Sequence, residues 1–143
     1  MLYYELLSTN TTVMATLYTT QLRKLANVIL QKRPQREQVR LLHDNARPHV
    51  AKTTRKALTK LGWEELPHPA YSPDLAPSDY HLFRALKYHL REKSFDDRDQ
   101  LQNELDQFFA LQSRQFWAAG IEKLPERWGK VIDSDGDYII DKV

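Results

Sequence analysis

In a chain of 143 residues, 21 basic side chains against 19 acidic ones leave a net charge of only +2, so charge alone points to neither nucleic acid nor a membrane surface. Cysteine is absent, which excludes a disulfide scaffold and any cysteine-ligated zinc and suits a reducing intracellular compartment. The length suits a single domain over 1–143, the N-terminus carries no signal-peptide pattern, and no stretch approaches the roughly 18 apolar residues of a membrane span.

The first candidate element is "LYYELLS" at 2–8, aromatic and aliphatic enough for a strand and followed by turn and capping residues. A helix is expected from about Thr12 to Lys32, where Val13, Leu17, Leu22, Leu25 and Ile29 recur at helical spacing before Pro34. "VRLLHDN" at 39–45 is too short for a helix and reads as a buried strand. Val50, Thr54, Ala57, Leu58 and Leu61 form the next helical face, and Gly62 stands where a left-handed C-cap is wanted. "WEELPH" adds a short strand ended by Pro67 and Pro69. Strand, helix, strand, helix, strand predicts a three-layer α/β arrangement with parallel neighbours.

"PAYSPDLAPSD" carries three prolines and predicts a stiff turn that delivers Ser78 or Asp79 to a helix N-terminus. The remainder reads as helical. Leu82, Phe83, Leu86 and Leu90 line one helix, and Leu101, Leu105, Phe108 and Phe109 line the next, capped by "FDDRD". Trp117, Ile121, Leu124 and Trp128 line the last, with Pro125 as a kink. Trp63, Trp117 and Trp128 read as core residues. The tail "DSDGDYIID" reads as a polar turn, because its glycine comes two positions too early for a calcium loop.

The chemistry concentrates in "LLHDNARPHV". A carboxylate at the C-terminal end of a parallel strand points into the crevice where open α/β sheets bind ligands. Asp44 closes one strand and Asp79 opens the helix beyond its neighbour, with residues 45–78 between them. The two are expected to converge at one end of a mixed sheet. Two carboxylates brought together need a proton or a cation between them, and hard oxygen ligands suit magnesium or manganese. Turn and capping roles are the alternative for both, and for Asp74 in "SPDL" a local bond to the backbone is the commoner role. His43, His49 and His81 invite a metal reading, yet magnesium prefers oxygen, so hydrogen bonding or phosphate contact suits them better. Arg47 can pair with Asp44 or with a phosphate. Lys52, Lys56 and Lys60 form one i,i+4 row that either tracks a nucleic-acid backbone or is a solvated helix face.

"HDNARPH" at 43–49, "YSPDLAPSDYHLF" at 71–83 and "GIEKLPERW" at 120–128 together resemble the catalytic domain of mariner-type DNA transposases. The resemblance begins at "YYELL" and covers nearly the whole chain. It implies an RNase H-like fold that cuts transposon ends and joins them to target DNA, using two divalent ions, Mg2+ or Mn2+, held by three aspartates. Asp44 and Asp79 match the second and third. The first, by the same resemblance, lies a few residues upstream of Met1, so the chain reads as truncated at its N-terminus, without the central first strand and inactive alone. A non-catalytic DNA- or protein-binding module derived from a transposase is the alternative. The implied partners are DNA, bound through Arg47, His49, Lys52, Lys56 and Lys60, and a second copy of the chain. The implied compartment is the nucleus.

Overall fold

The computed structural model describes residues 1–141, and the chain divides into two compact units, Met1–Ala70 and Tyr71–Val143. It is mostly helical. Among the described residues the only sheet has two short strands, and no helix is long and apolar enough to cross a membrane.

The first unit contains α1 (Ala15–Lys32), β1 (Arg40–Leu41), α2 (Arg47–Val50), α3 (Lys52–Leu61) and β2 (Glu64–Glu65). Residues 2–8, expected as a strand, run without regular secondary structure up to the turn at 9–10. α1 begins at Ala15, later than expected, because a turn precedes it: the Thr11 N–H bonds the Ser8 carbonyl at 3.1 Å, with Asn10 at φ 62°.

The buried ridge of α1 is Thr19, Leu22 and Ala26, and the larger Val13, Leu17, Leu25 and Ile29 are half-buried. This ridge packs on Thr54, Ala57 and Leu58 of α3. Small residues at the seam let the helices approach, while full burial of Leu22 and Leu58 stabilises by roughly 1.5–3 kcal/mol each. The expected helix from Val50 is broken at Ala51, whose ψ of 148° is extended, so Val50 ends the single turn of α2 and stays exposed.

α3 stops as its sequence predicts. Gly62 adopts φ 69°, its N–H bonds Thr59 and the Trp63 N–H bonds Leu58, which closes the last carbonyls of the helix. The chain then enters β2, which pairs with β1 in parallel, Arg40 opposite Glu64 and Leu41 opposite Glu65. The cross-strand partners Arg40 and Glu64 also form an ion pair at 3.0 Å. β1 was expected to be buried; instead Arg40 is exposed and Leu41 half-buried, because a two-residue ladder has little sheet to cover it.

The second unit opens with a 3-10 turn at Pro73–Leu75, whose Leu75 is buried. A wide π-type helical stretch at Ser78–Phe83 follows and runs into α4 (Arg84–Leu90). Then come α5 (Arg98–Leu111), α6 (Arg114–Glu122) and α7 (Leu124–Asp133). The Asp97 carboxylate accepts the Gln100 N–H at 2.9 Å and caps α5, and Ser113 accepts the Phe116 N–H and caps α6. The core is Leu75, Tyr80, Leu86, Leu105, Phe108 and Leu124. Phe83 is exposed, since the wide turns shift the phase of the face expected for it. Pro125 does more than kink a helix: α6 ends at Glu122 and α7 restarts at Leu124, so Ile121 and Trp128 fall on exposed faces while Arg127 is buried. Trp63 and Trp117 are half-buried.

Candidate functional site

β1 ends two residues before His43, and Asp44 stands in the short connection to α2. The Asp44 Oδ1 accepts the Ala46 N–H at 2.9 Å, and the turn of α2 brings His49 back so that its Nδ1 lies 2.6 Å from the same oxygen. Because a carboxylate only accepts, His49 donates through Nδ1. The Ala46 N–H, and after it His49 and His68, hold the Asp44 carboxyl below the usual carboxylate range against the opposing effect of burial. Asp44 is therefore an ionised side chain, 60% exposed, with one oxygen anchored. Arg47, for which a pair with Asp44 and a phosphate contact were both open, makes no ion pair with Asp44; it opens α2 on an exposed face, and His49 pairs with Asp44 instead.

Behind Asp44 lies a polar stack that sequence reasoning missed. His43, 11% exposed, is held on both ring nitrogens: Nε2 donates to Glu65 Oε1 at 2.8 Å, and Nδ1 accepts from the Tyr18 hydroxyl at 2.6 Å. The His43 and His49 rings stack at 4.9 Å, and Tyr18 lies 4.2 Å from His49. Burial first, then the charges of Asp44 and Glu65, push the Tyr18 hydroxyl up to about 12, so it remains a donor at neutral pH. Asn45 ties the same segment to β2's continuation through the His68 carbonyl, at 2.9 Å. The only hint of Tyr18 in the sequence is a hydroxyl-bearing ring just off the apolar ridge of α1.

Lys52, Lys56 and Lys60 lie on α3 as the i,i+4 row predicts, and all three are exposed. In the second unit, Asp79 is exposed in the first turn of the Ser78–Phe83 stretch, where its N–H bonds the Ala76 carbonyl at 2.8 Å. His81 is a packing residue. Its Nε2 donates to the Phe116 carbonyl at 2.6 Å, its ring lies on Phe116, and a Cβ added at Gly120 would stand 2.7 Å from it.

The other two motifs prove to be structural partners. Asp74 of "SPDL" accepts the Ile139 N–H at 3.0 Å, a bond across 65 residues where a local one was expected. Arg127 of "LPERW" donates to the Asp74 carbonyl at 2.6 Å, forms a two-pronged pair with Asp141 at 2.9 and 3.1 Å, and lies 4.0 Å over the Tyr80 ring. The tail is thus more than a polar turn. Among the described residues no group of three or more His, Asp and Glu side chains is arranged to hold a metal ion. The first unit offers an anchored, ionised carboxylate, Asp44, following a parallel strand, and the second unit offers an exposed one, Asp79, in the first turn of a helical stretch.

Residues 5–102 match the family described as DDE superfamily endonuclease, to which this chain belongs. Within it, the chain is a homologue of the mariner Mos1 transposase of Drosophila mauritiana, 46% identical over 142 residues that cover 96% of this chain and 41% of that protein. The solved Mos1 catalytic domain with raltegravir and Mn superposes with a TM-score of 0.94 at 47% identity, covering 97% of this chain and 72% of that one. A Mos1 paired-end complex with Mn matches equally well, at 48% identity and over 41% of its chain. The same catalytic domain is also solved with Mg.

Proposed function

We propose that this chain is part of an RNase H-like transposase catalytic domain acting on DNA in the nucleus, with Asp44 and Asp79 as ligands for Mg2+ or Mn2+. The observation that carries this reading is Asp44: one oxygen fixed by the Ala46 N–H and His49, ionised, and its side chain open to solvent. The donor chemistry fits, since both residues offer hard oxygens, whereas His43 has both ring nitrogens, and His81 its Nε2, committed to protein partners. When bound, divalent ions stabilise the attacking and leaving oxygens of a phosphoryl transfer. The chain's own residues hold the carboxylate ready: His49 orients it, and Tyr18 and Glu65 fix the His43 ring on which His49 stacks.

A polypeptide of residues 1–143 alone supplies two of the three aspartates that the mariner resemblance implies, so it should hold a second ion weakly. Losing the support of one ion costs several kcal/mol, roughly a thousandfold or more in rate. The expected result is Mn2+ binding by calorimetry that weakens at least tenfold in Asp44→Asn and in Asp79→Asn, with no more than trace nicking of supercoiled DNA. Mn2+ affinity unchanged in both variants would remove the site. Robust nicking lost in Asp44→Asn would keep the site and overturn the need for a third aspartate. DNA binding with neither metal binding nor cleavage would favour a non-catalytic module.

A further inference from the structure

Alongside the seam of α1 and α3 runs an open groove of about 710 Å³ that is separate from Asp44. Its walls carry Arg23 and Thr20 from α1 and Arg55, Lys56 and Lys60 from α3, and no carboxylate lines it. Arg55 donates to the Val50 carbonyl at 3.2 Å, but Arg23, Lys56 and Lys60 form no ion pair among the described residues. Other lysines of the chain do: Lys24 pairs with Glu5, Lys93 with Glu104 and Lys130 with Glu126. The Thr20 hydroxyl bonds its own helix at the Thr16 carbonyl, so the part of the α1 wall beside Arg23 is small and uncharged. Four cations converging on one concavity without an acid repel each other unless a polyanion occupies it.

We propose that this groove seats the sugar-phosphate backbone of duplex DNA. Lys56 and Lys60, one helical turn apart, form one rail, and Arg23, which no sequence pattern connects to them, forms the other. The choice of DNA among polyanions rests on the DNA-directed reading above, but the contact itself needs neither a metal nor Asp44. Four phosphate contacts would give a plot of log affinity against log salt a slope of about −3.6, and each contact is worth roughly eightfold at 0.1 M salt.

The test is fluorescence anisotropy with a random-sequence duplex in EDTA, which leaves any metal site out of play. Arg23→Gln with Lys60→Gln should weaken binding roughly 60-fold at 0.1 M salt and flatten the slope by about 1.8. Arg114→Gln with Lys123→Gln, the same charge change outside the groove, should do neither. Unchanged affinity and slope in the groove variant, or an equal loss in the control, overturns the proposal. On the unmodified protein, duplex should shield Lys56 and Lys60 from acetylation while Lys123 and Lys130 react freely; equal reactivity with and without DNA is a second refutation that needs no folded variant. Mn2+ affinity unchanged in Asp44→Asn and in Asp79→Asn, with groove-dependent DNA binding intact, would strike at the metal reading alone.

Discussion

Tyr18 connects α1 to the site through one hydroxyl. It donates to His43, whose other nitrogen donates to Glu65, so both ring positions are satisfied only while the phenol keeps its proton. Replacing Tyr18 by Phe retains the ring against His49 and removes the donor, which should cost about 1 kcal/mol at neutral pH in urea unfolding. The pH dependence makes the test sharper. Because the folded-state value is raised from 10.0 to about 12, the stabilisation is fully present below pH 10 and is lost as pH rises toward 12. Wild type should therefore lose stability more steeply than Tyr18→Phe over that window. Parallel curves would mean that the hydroxyl is not held as described.

At the scale of elements, local signals decided what could be read in advance. Asp97 caps α5 because its carboxylate reaches an N–H three residues on, so Asp97→Ala should lower stability by about 1 kcal/mol, visible as a drop in melting temperature. An unchanged melt would mean that the end of α5 frays regardless. Gly62 was legible for the same reason, since its cap depends on a few adjacent residues, and the parallel pairing of "VRLLHDN" with "WEELPH" followed from the strand–helix–strand order. Ile121 and Trp128 were not. Their expected face assumed one continuous helix through Pro125, and the restart at Leu124 resets the phase. The partner of Asp44 was not legible either: Arg47 could pair with it or with a phosphate, and the turn of α2 returns His49 to it instead.

At the scale of the whole chain, the contacts that matter most join residues far apart, which no local pattern reveals. Arg127 is buried and needs acceptors for its guanidinium; it finds them 53 residues back at the Asp74 carbonyl and 14 residues on at Asp141. Asp74 in turn takes the Ile139 N–H, so the loop carrying "SPDL", the helix carrying "PERW" and the tail are fastened at one node of the second unit. Arg84 adds a second cation to Asp141 at 3.1 Å. The Arg127 hydrogen bonds, and then the charges of Arg127 and Arg84, hold the Asp141 carboxyl below its ordinary value of 3.8. A depressed folded value means the stabilisation is complete above that ordinary value and is lost as pH falls through the lower, folded one. Replacing Asp141 by Asn should therefore cost about 1–2 kcal/mol at pH 6, a figure discounted from a fully buried pair because Asp141 is one-third exposed. The gap between the two proteins should close as the solution is acidified below about pH 4, since protonation makes wild type resemble the variant. Thermal melts of both proteins at several pH values measure this directly. A gap that stays constant into strong acid would show that Asp141 contributes through packing and not through its charge.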